Sequence, residues 1–155
     1  HLFGQGEGRW QALPCALIAA AQPHYEKIDL TRVWFAHSVR SVNGRAITCL
    51  YHVFFPWKVD LSQKVAFIVM LHELEHVVQY EVRGGEQAFL KEYLHKAIAL
   101  ARAKGSWRVH GDIDLERDAE AKARRVFAKV FNDLQRSRST ASLGDASGSM
   151  CRDAG

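Results

Sequence analysis

The chain has 155 residues, 48% of them hydrophobic, and a formal net charge of +4, a size and composition that suit one globular domain with a single adequate core. Its three cysteines, Cys15, Cys49 and Cys151, are too few and too scattered for a cysteine metal cluster or a disulfide framework, leaving at most a Cys15–Cys49 bridge. No zinc-finger cysteine pairs and no aromatic-basic RNA motif accompany the positive charge, and the apolar run 65–71 is far shorter than the ~20 residues that cross a bilayer, so neither a nucleic-acid partner nor a membrane span is expected.

Residues 1–24 read as an N-terminal segment, either a helix packed on the domain or the remnant of a signal or linker. The apolar stretch 12–21 has the small-residue end of a secretion signal, but Pro14 interrupts it and Glu7 stands where a basic start belongs, which favours the packed helix. A chain that starts at His1 rather than Met is compatible with a fragment or a processed form. Residues 33–40 and 45–55 alternate as two strands, and Ser41-Val42-Asn43-Gly44 carries the Asn-Gly signal of a hairpin between them, with Pro56 ending the second strand. Asp60 or Ser62 is placed to cap a helix that continues to about Glu81 before Gly84-Gly85 break it. Residues 86–104 form an amphipathic helix with Phe89, Leu90, Tyr93, Leu94, Ala97, Ile98 and Ala101 inward, and Gly105 stops it. A loop with Trp107, His110 and Asp112 leads to a last helix, 115–134, whose Lys122, Arg124, Arg125, Lys129, Arg136 and Arg138 read as a solvated stripe. From Ser137 the Ser/Gly-rich tail lacks the apolar content to pack, so 137–155 is expected to be disordered. The order is α+β, with a small N-terminal hairpin or sheet, a mainly helical remainder over 25–136, no internal repeat and no second domain.

The pattern His72-Glu73-x-x-His76, inside the run FIVMLHELEHVVQY, ties a helix to a metal and a general base. Residues four apart on an α-helix lie ~40° apart around the axis, so His72 and His76 share a face and can offer imidazole nitrogens to one Zn²⁺. Glu73 projects beside them, where a carboxylate can take a proton from a zinc-bound water. Two histidines four apart can arise by chance among the chain's eight. The apolar residues on both sides of the motif argue otherwise, because imidazoles and a carboxylate on a buried helix are costly unless something satisfies them.

Two histidines and a water leave zinc one protein ligand short. A metzincin would place Gly and a third His shortly after the motif, but Gln79 and Val82 occupy those positions. In 115–134 the residues Ala119, Ala123, Val126, Phe127, Val130, Phe131 and Leu134 form one apolar face. At ~100° per residue Glu116 falls on that face at the first turn, Glu120 lies ~40° off it, and Asp118 points away. Glu116 is therefore the expected third ligand, and Glu120 the residue that accepts a hydrogen bond from the far nitrogen of a ligand histidine and fixes its tautomer. An exchange of the two roles stays open, as does an ordinary first-turn acid at Glu116 favoured by the helix dipole.

His72-Glu73-Leu74-Glu75-His76 followed by Glu116-Arg117-Asp118-Ala119-Glu120 resembles the gluzincin signature, in particular that of minigluzincins and the prenyl-protein peptidase clan, in which HExxH is followed by E-x-x-A-D-x-x-A; here Glu120 stands in place of the Asp. The longer run from Ile28-Asp29-Leu30-Thr31-Arg32-Val33 through Gly44-Arg45-Ala46-Ile47-Thr48 and Val53-Phe54-Phe55 to His72-Glu73-Leu74-Glu75-His76-Val77-Val78-Gln79-Tyr80 is similar to the bacterial family called the core domain of extracellular contractile injection systems. That resemblance covers most of residues 25–130 and implies a compact, zincin-like metallopeptidase domain from a bacterium, with an exported or secreted location left open.

The expected function is thus peptide-bond hydrolysis by a zinc-activated water, with His72, His76 and Glu116 on the metal and Glu73 as general base. A peptide or protein substrate would lie beside the strand 45–55 by strand addition. His110, Tyr80 and Tyr93 are the candidates for a further donor to the oxyanion, His110 foremost. Two other readings stand beside this one. In the first, a non-catalytic zinc-stapled module serves assembly or cargo in a bacterial secretion or injection system, although a structural site needs no general base. In the second, a latent secreted toxin protease waits for an upstream domain or another partner.

Overall fold

The computed structural model describes residues 10–39 and 44–141, which form a small four-stranded sheet and four α-helices, a mixed α+β fold dominated by helix. Strand β1 (Gln11–Ala12) leads into α1 (Cys15–Ala21), whose Leu17 and Ala21 are buried. The stretch 12–21 is thus largely a packed helix, lying against the last helix of the chain. Cys49 is a free thiol, so the Cys15–Cys49 bridge does not form.

The sheet departs from the hairpin expected from sequence. Strand β2 covers only Trp34–Ala36, and the stretch 45–55 is two strands, β3 (Ile47–Cys49) and β4 (His52–Phe54), paired antiparallel with Thr48 opposite Val53. The chain reverses between them where Leu50 takes φ of 53°, a left-handed conformation at a non-glycine residue that alternation alone does not reveal. Strands β2 and β4 run parallel, Phe35 opposite Val53, and the sheet order is β1-β2-β4-β3. Hence β2 and β3 are not neighbours, and the expected Ser41–Gly44 turn does not join a hairpin. Its residues 41–43 lie outside the described residues. What matters for the site is that, among the described residues, β3 is an edge strand.

Helix α2 (Lys64–Val82) carries the HELEH segment and is buried over Phe67, Met70, Leu71, Leu74, Val77 and Val78, while Val65 at its open first turn is 75% exposed. Its N-cap is Gln63, with no side-chain cap. Asp60 instead accepts hydrogen bonds from the backbone N–H (2.9 Å) and hydroxyl (2.6 Å) of Ser62, so both expected caps are spent on a turn just before the helix. After Gly84 and Gly85, whose φ angles of 81° and 113° no L side chain adopts easily, α3 spans Glu86–Lys104 and ends at left-handed Gly105. Only part of its expected inner face is covered. Phe89 and Ala101 are buried, Phe89 against the end of α2 and the start of α4, but Leu90 and Leu94 are 46% and 57% exposed.

Helix α4 covers Asp114–Ala141, continuing into the segment expected to be disordered; residues 142–155 lie outside the described residues. Ala119, Ala123, Val126, Val130 and Leu134 are buried along one face as the 3.6-residue period requires, and Phe127 and Phe131 meet Phe67 of α2 edge-on at 6.0 and 5.4 Å between ring centroids. On the opposite side Arg124, Arg125, Lys129 and Arg136 are exposed. The main core lies between the sheet, α1, α2 and α4, and a smaller cluster of Tyr80, Phe89, Ile113 and Leu115 sits under α3. Among the described residues no helix is long and apolar enough to cross a membrane.

Tyr25 pins the middle of α2 to this core, since its buried hydroxyl donates to the Leu71 carbonyl at 2.8 Å. Burial also pushes its phenol far above the ordinary value, so it remains a donor. Tyr25→Phe leaves the ring and removes the bond, and it is expected to lower the unfolding free energy by about 1 kcal/mol, read as a lower urea midpoint at unchanged slope. An unchanged midpoint would show that the hydroxyl contributes nothing to holding α2.

Candidate metal centre

On α2, the four-residue spacing stacks the His72 and His76 rings with centroids 4.7 Å apart and their Nε2 atoms 3.0 Å from each other. The first turn of α4 faces them because the apolar stripe of that helix lies on α2, which aims Glu116 inward. Its Oε2 stands 3.3 Å from His72 Nε2 and 3.4 Å from His76 Nε2. Glu116 and His76 are buried and His72 is half-buried. These three residues can hold a metal ion. Ligand atoms 2.0–2.1 Å from a tetrahedral ion are about 3.3 Å from one another, close to all three separations found here.

Electrostatics reflect the same convergence. Burial would raise the Glu116 carboxyl, yet the imidazoles of His72 and His76 hold it well below the usual carboxylate range. His76 is pulled down by burial but ends above its ordinary value because Glu116 and Glu73 face it. Such mutual attraction in a buried cluster is what a cation bound between the groups would replace.

Glu73, 4% exposed, lies on the same stretch of α2, and burial raises its carboxyl although His76, Thr48 and His72 act to lower it. Its Oε2 accepts a 2.6 Å hydrogen bond from the Thr48 hydroxyl on the edge strand β3. Tyr80 reaches the same strand from below, its hydroxyl donating to the Thr48 carbonyl at 3.1 Å. Of the three candidate oxyanion donors, Tyr80 is thereby committed to the backbone of β3.

His110 and Tyr93 are arranged differently. His110 Nε2 is 3.2 Å from Glu116 Oε2, and its Nδ1 is 2.6 Å from the Tyr93 hydroxyl. A carboxylate only accepts, so the tautomer that suits Glu116 has its proton on Nε2 and leaves Nδ1 to accept from the Tyr93 O–H. Burial pushes His110 below its ordinary value and Tyr93 well above its own, which keeps both neutral donors. Glu120 approaches the far side of His72, with Oε2 3.7 Å from Nδ1, beyond hydrogen-bond length, and it also pairs with Arg124. The structure therefore brings His72, Glu73, His76, His110 and Glu116 together and leaves Glu120 at the margin.

Two further residues belong to the site. Thr48 holds the candidate base, and Gln79, buried at 5% exposure, touches His76 Nδ1 through Oε1 at 2.9 Å. Gln79 sits three residues beyond His76, a spacing that places it one turn on along the same helix face and is visible in sequence. Thr48 has no such signal, because its contact depends on how a strand meets a helix. Gln79 apart, these side chains line a cleft of about 930 Å³ together with Ile47, Trp57, Leu90, Trp107, Arg45 and Arg108. No protein-family model, curated protein or solved structure matches the chain.

Proposed function

We propose that this chain is a zinc metallopeptidase of gluzincin type. The observation that carries the reading is the meeting of His72 Nε2, His76 Nε2 and Glu116 Oε2 within 3.0–3.4 Å of one another, next to a buried carboxylate that is not needed to complete the set. Two imidazoles and one carboxylate suit zinc and leave a coordination position open, as catalytic rather than structural sites do. The likeness of HELEH followed by Glu116-Arg117-Asp118-Ala119-Glu120 to the signature of minigluzincins, and of the longer run to the injection-system core domain, supports the same assignment.

A bound zinc would supply Lewis acidity, lowering the pKa of a water toward ~7 and polarising a peptide carbonyl. The remaining work falls to the chain. Glu73, with one oxygen held by Thr48, takes the proton of the attacking water on the other and passes it to the departing amine. His110, its ring held at Nδ1 by the Tyr93 hydroxyl, would donate from Nε2 where the carbonyl oxygen gains charge. The free edge of β3 offers backbone groups to an extended peptide, which would lie between that edge and the Trp107 side of the cleft. Strand β4 is interior to the sheet, so only the first part of the stretch 45–55 can serve in this way.

Metal analysis of the purified chain is expected to find one zinc per molecule. Zinc at about 100 times its dissociation constant adds ~2.7 kcal/mol to stability, so chelation should lower the melting temperature by about 5–10 °C for a domain of this size. No bound metal, together with a melting curve indifferent to chelator, would end the proposal.

A further inference from the structure

We propose that Gln79 is the positioning residue of the metal centre, setting the tautomer of His76 and the placement of Glu116 with one side chain; the inference rests on the zinc reading above. The amide makes two hydrogen bonds in opposite directions. Its Nε2 donates to the Leu115 carbonyl at 2.9 Å, and its Oε1 lies 2.9 Å from His76 Nδ1. The two ends are not interchangeable. A backbone carbonyl only accepts, so the end that faces Leu115 must be the NH₂, and the end that faces His76 must be the oxygen. An amide oxygen also only accepts, so His76 Nδ1 must carry the proton. The lone pair is then on Nε2, the nitrogen 3.4 Å from Glu116 Oε2.

The second bond matters equally. Leu115 immediately precedes Glu116 in the first turn of α4, so fastening its carbonyl to α2 fixes how far the Glu116 carboxylate stands from the two imidazoles. Ligands on two separate helices would otherwise depend mainly on apolar packing, which tolerates small slides that a metal site does not. Gln79 is 5% exposed, and His76 Nδ1 has no other hydrogen-bond partner among the described residues. Its neighbour in the cluster, Glu120, cannot substitute for it, being directed at His72 on the other side.

The test compares zinc affinity, by competition with a chromophoric chelator, in the full chain and in two variants. Gln79→Met keeps the size and loses both bonds. Gln79→Glu keeps an acceptor for His76 Nδ1 and loses the donor to Leu115. Removal of such a support typically costs about 10–100-fold in metal affinity, so the methionine variant is expected to fall by that factor and the glutamate variant by clearly less. In the zinc-loaded wild-type chain the His76 Nδ1 proton should appear by NMR as a slowly exchanging imidazole signal, absent in Gln79→Met and retained in Gln79→Glu, a signature that loss of packing alone would not restore. If Gln79→Met binds zinc within about twofold of wild type, or Gln79→Glu falls as far as Gln79→Met, the inference is overturned while the metal centre stands. If Gln79→Met does not fold, the glutamate variant decides: affinity within about tenfold of wild type with the Nδ1 signal retained supports the inference, and loss of either overturns it. A wild-type chain that takes up no zinc removes the metal centre and this inference together.

Discussion

Glu73→Gln is expected to lower peptide hydrolysis by a factor of about 10² to 10⁴, the usual worth of a positioned base, while zinc content and melting temperature stay near wild type. The expectation follows from where Glu73 sits. Its carboxylate is not one of the three converging ligand atoms, so the amide takes nothing from the metal. The Thr48 hydroxyl, 2.6 Å from Oε2, can donate to an amide oxygen as it does to a carboxylate, so the side chain should stay in place. Burial already favours the uncharged form of this group, and a neutral isostere therefore does not disturb the fold. What is lost is the ability to hold a proton. The comparison needs a substrate that wild type cleaves, such as an unfolded casein-like chain or a peptide library read by mass spectrometry. Equal processing by the two proteins would place the cleavage elsewhere and favour a zinc-stapled assembly or cargo module.

Glu116→Ala is expected to weaken zinc binding by more than the ~100-fold that marks the upper end for a supporting residue, whereas Glu120→Ala should lose ~10-fold or less. Glu116 Oε2 lies within 3.4 Å of both ligand nitrogens from a buried position, while Glu120 is half-exposed, 3.7 Å from His72 Nδ1 and shared with Arg124. Isothermal titration with zinc separates the two. Similar losses in both variants would return the question of which acid is the ligand. Glu116 also gives a pH signature in the chelated protein. Because the folded Glu116 carboxyl is held below its ordinary value of 4.5, its contribution to stability is complete above that pH and is lost as the pH falls toward the depressed value. Glu116→Ala should therefore flatten the acid side of the stability curve. A curve as steep as wild type would mean that the imidazoles do not stabilise this carboxylate.

Whatever depends on spacing along one helix was legible in the order of the residues. The four-residue separation of His72 and His76, the presence of Glu73 between them, and the angular position of Glu116 relative to Ala123 and Leu134 follow from 3.6 residues per turn and need no knowledge of neighbours. The ends of α3 were likewise legible, because Gly85 and Gly105 adopt backbone angles that end helices locally. The apolar face of α4 was read correctly, and with it the meeting of Glu116 and α2. The remainder depends on how the elements pack. A stretch that alternates from 45 to 55 is compatible with one strand or with two joined at Leu50, and the second is selected by the pairing of β3 with β4 and of β4 with the more distant β2. Leu90 and Leu94 satisfy the helical period yet remain exposed, because periodicity shows which face is apolar and not how much of it a neighbour covers. Thr48 was outside the sequence reading of the site for the same reason, and so was the bond of Gln79 to Leu115, although the spacing of Gln79 from His76 was legible. A hydroxyl that holds Glu73 and an amide that joins His76 to Leu115 take their roles from contacts 25 and 36 residues away, and only the folded chain brings those partners within hydrogen-bond distance.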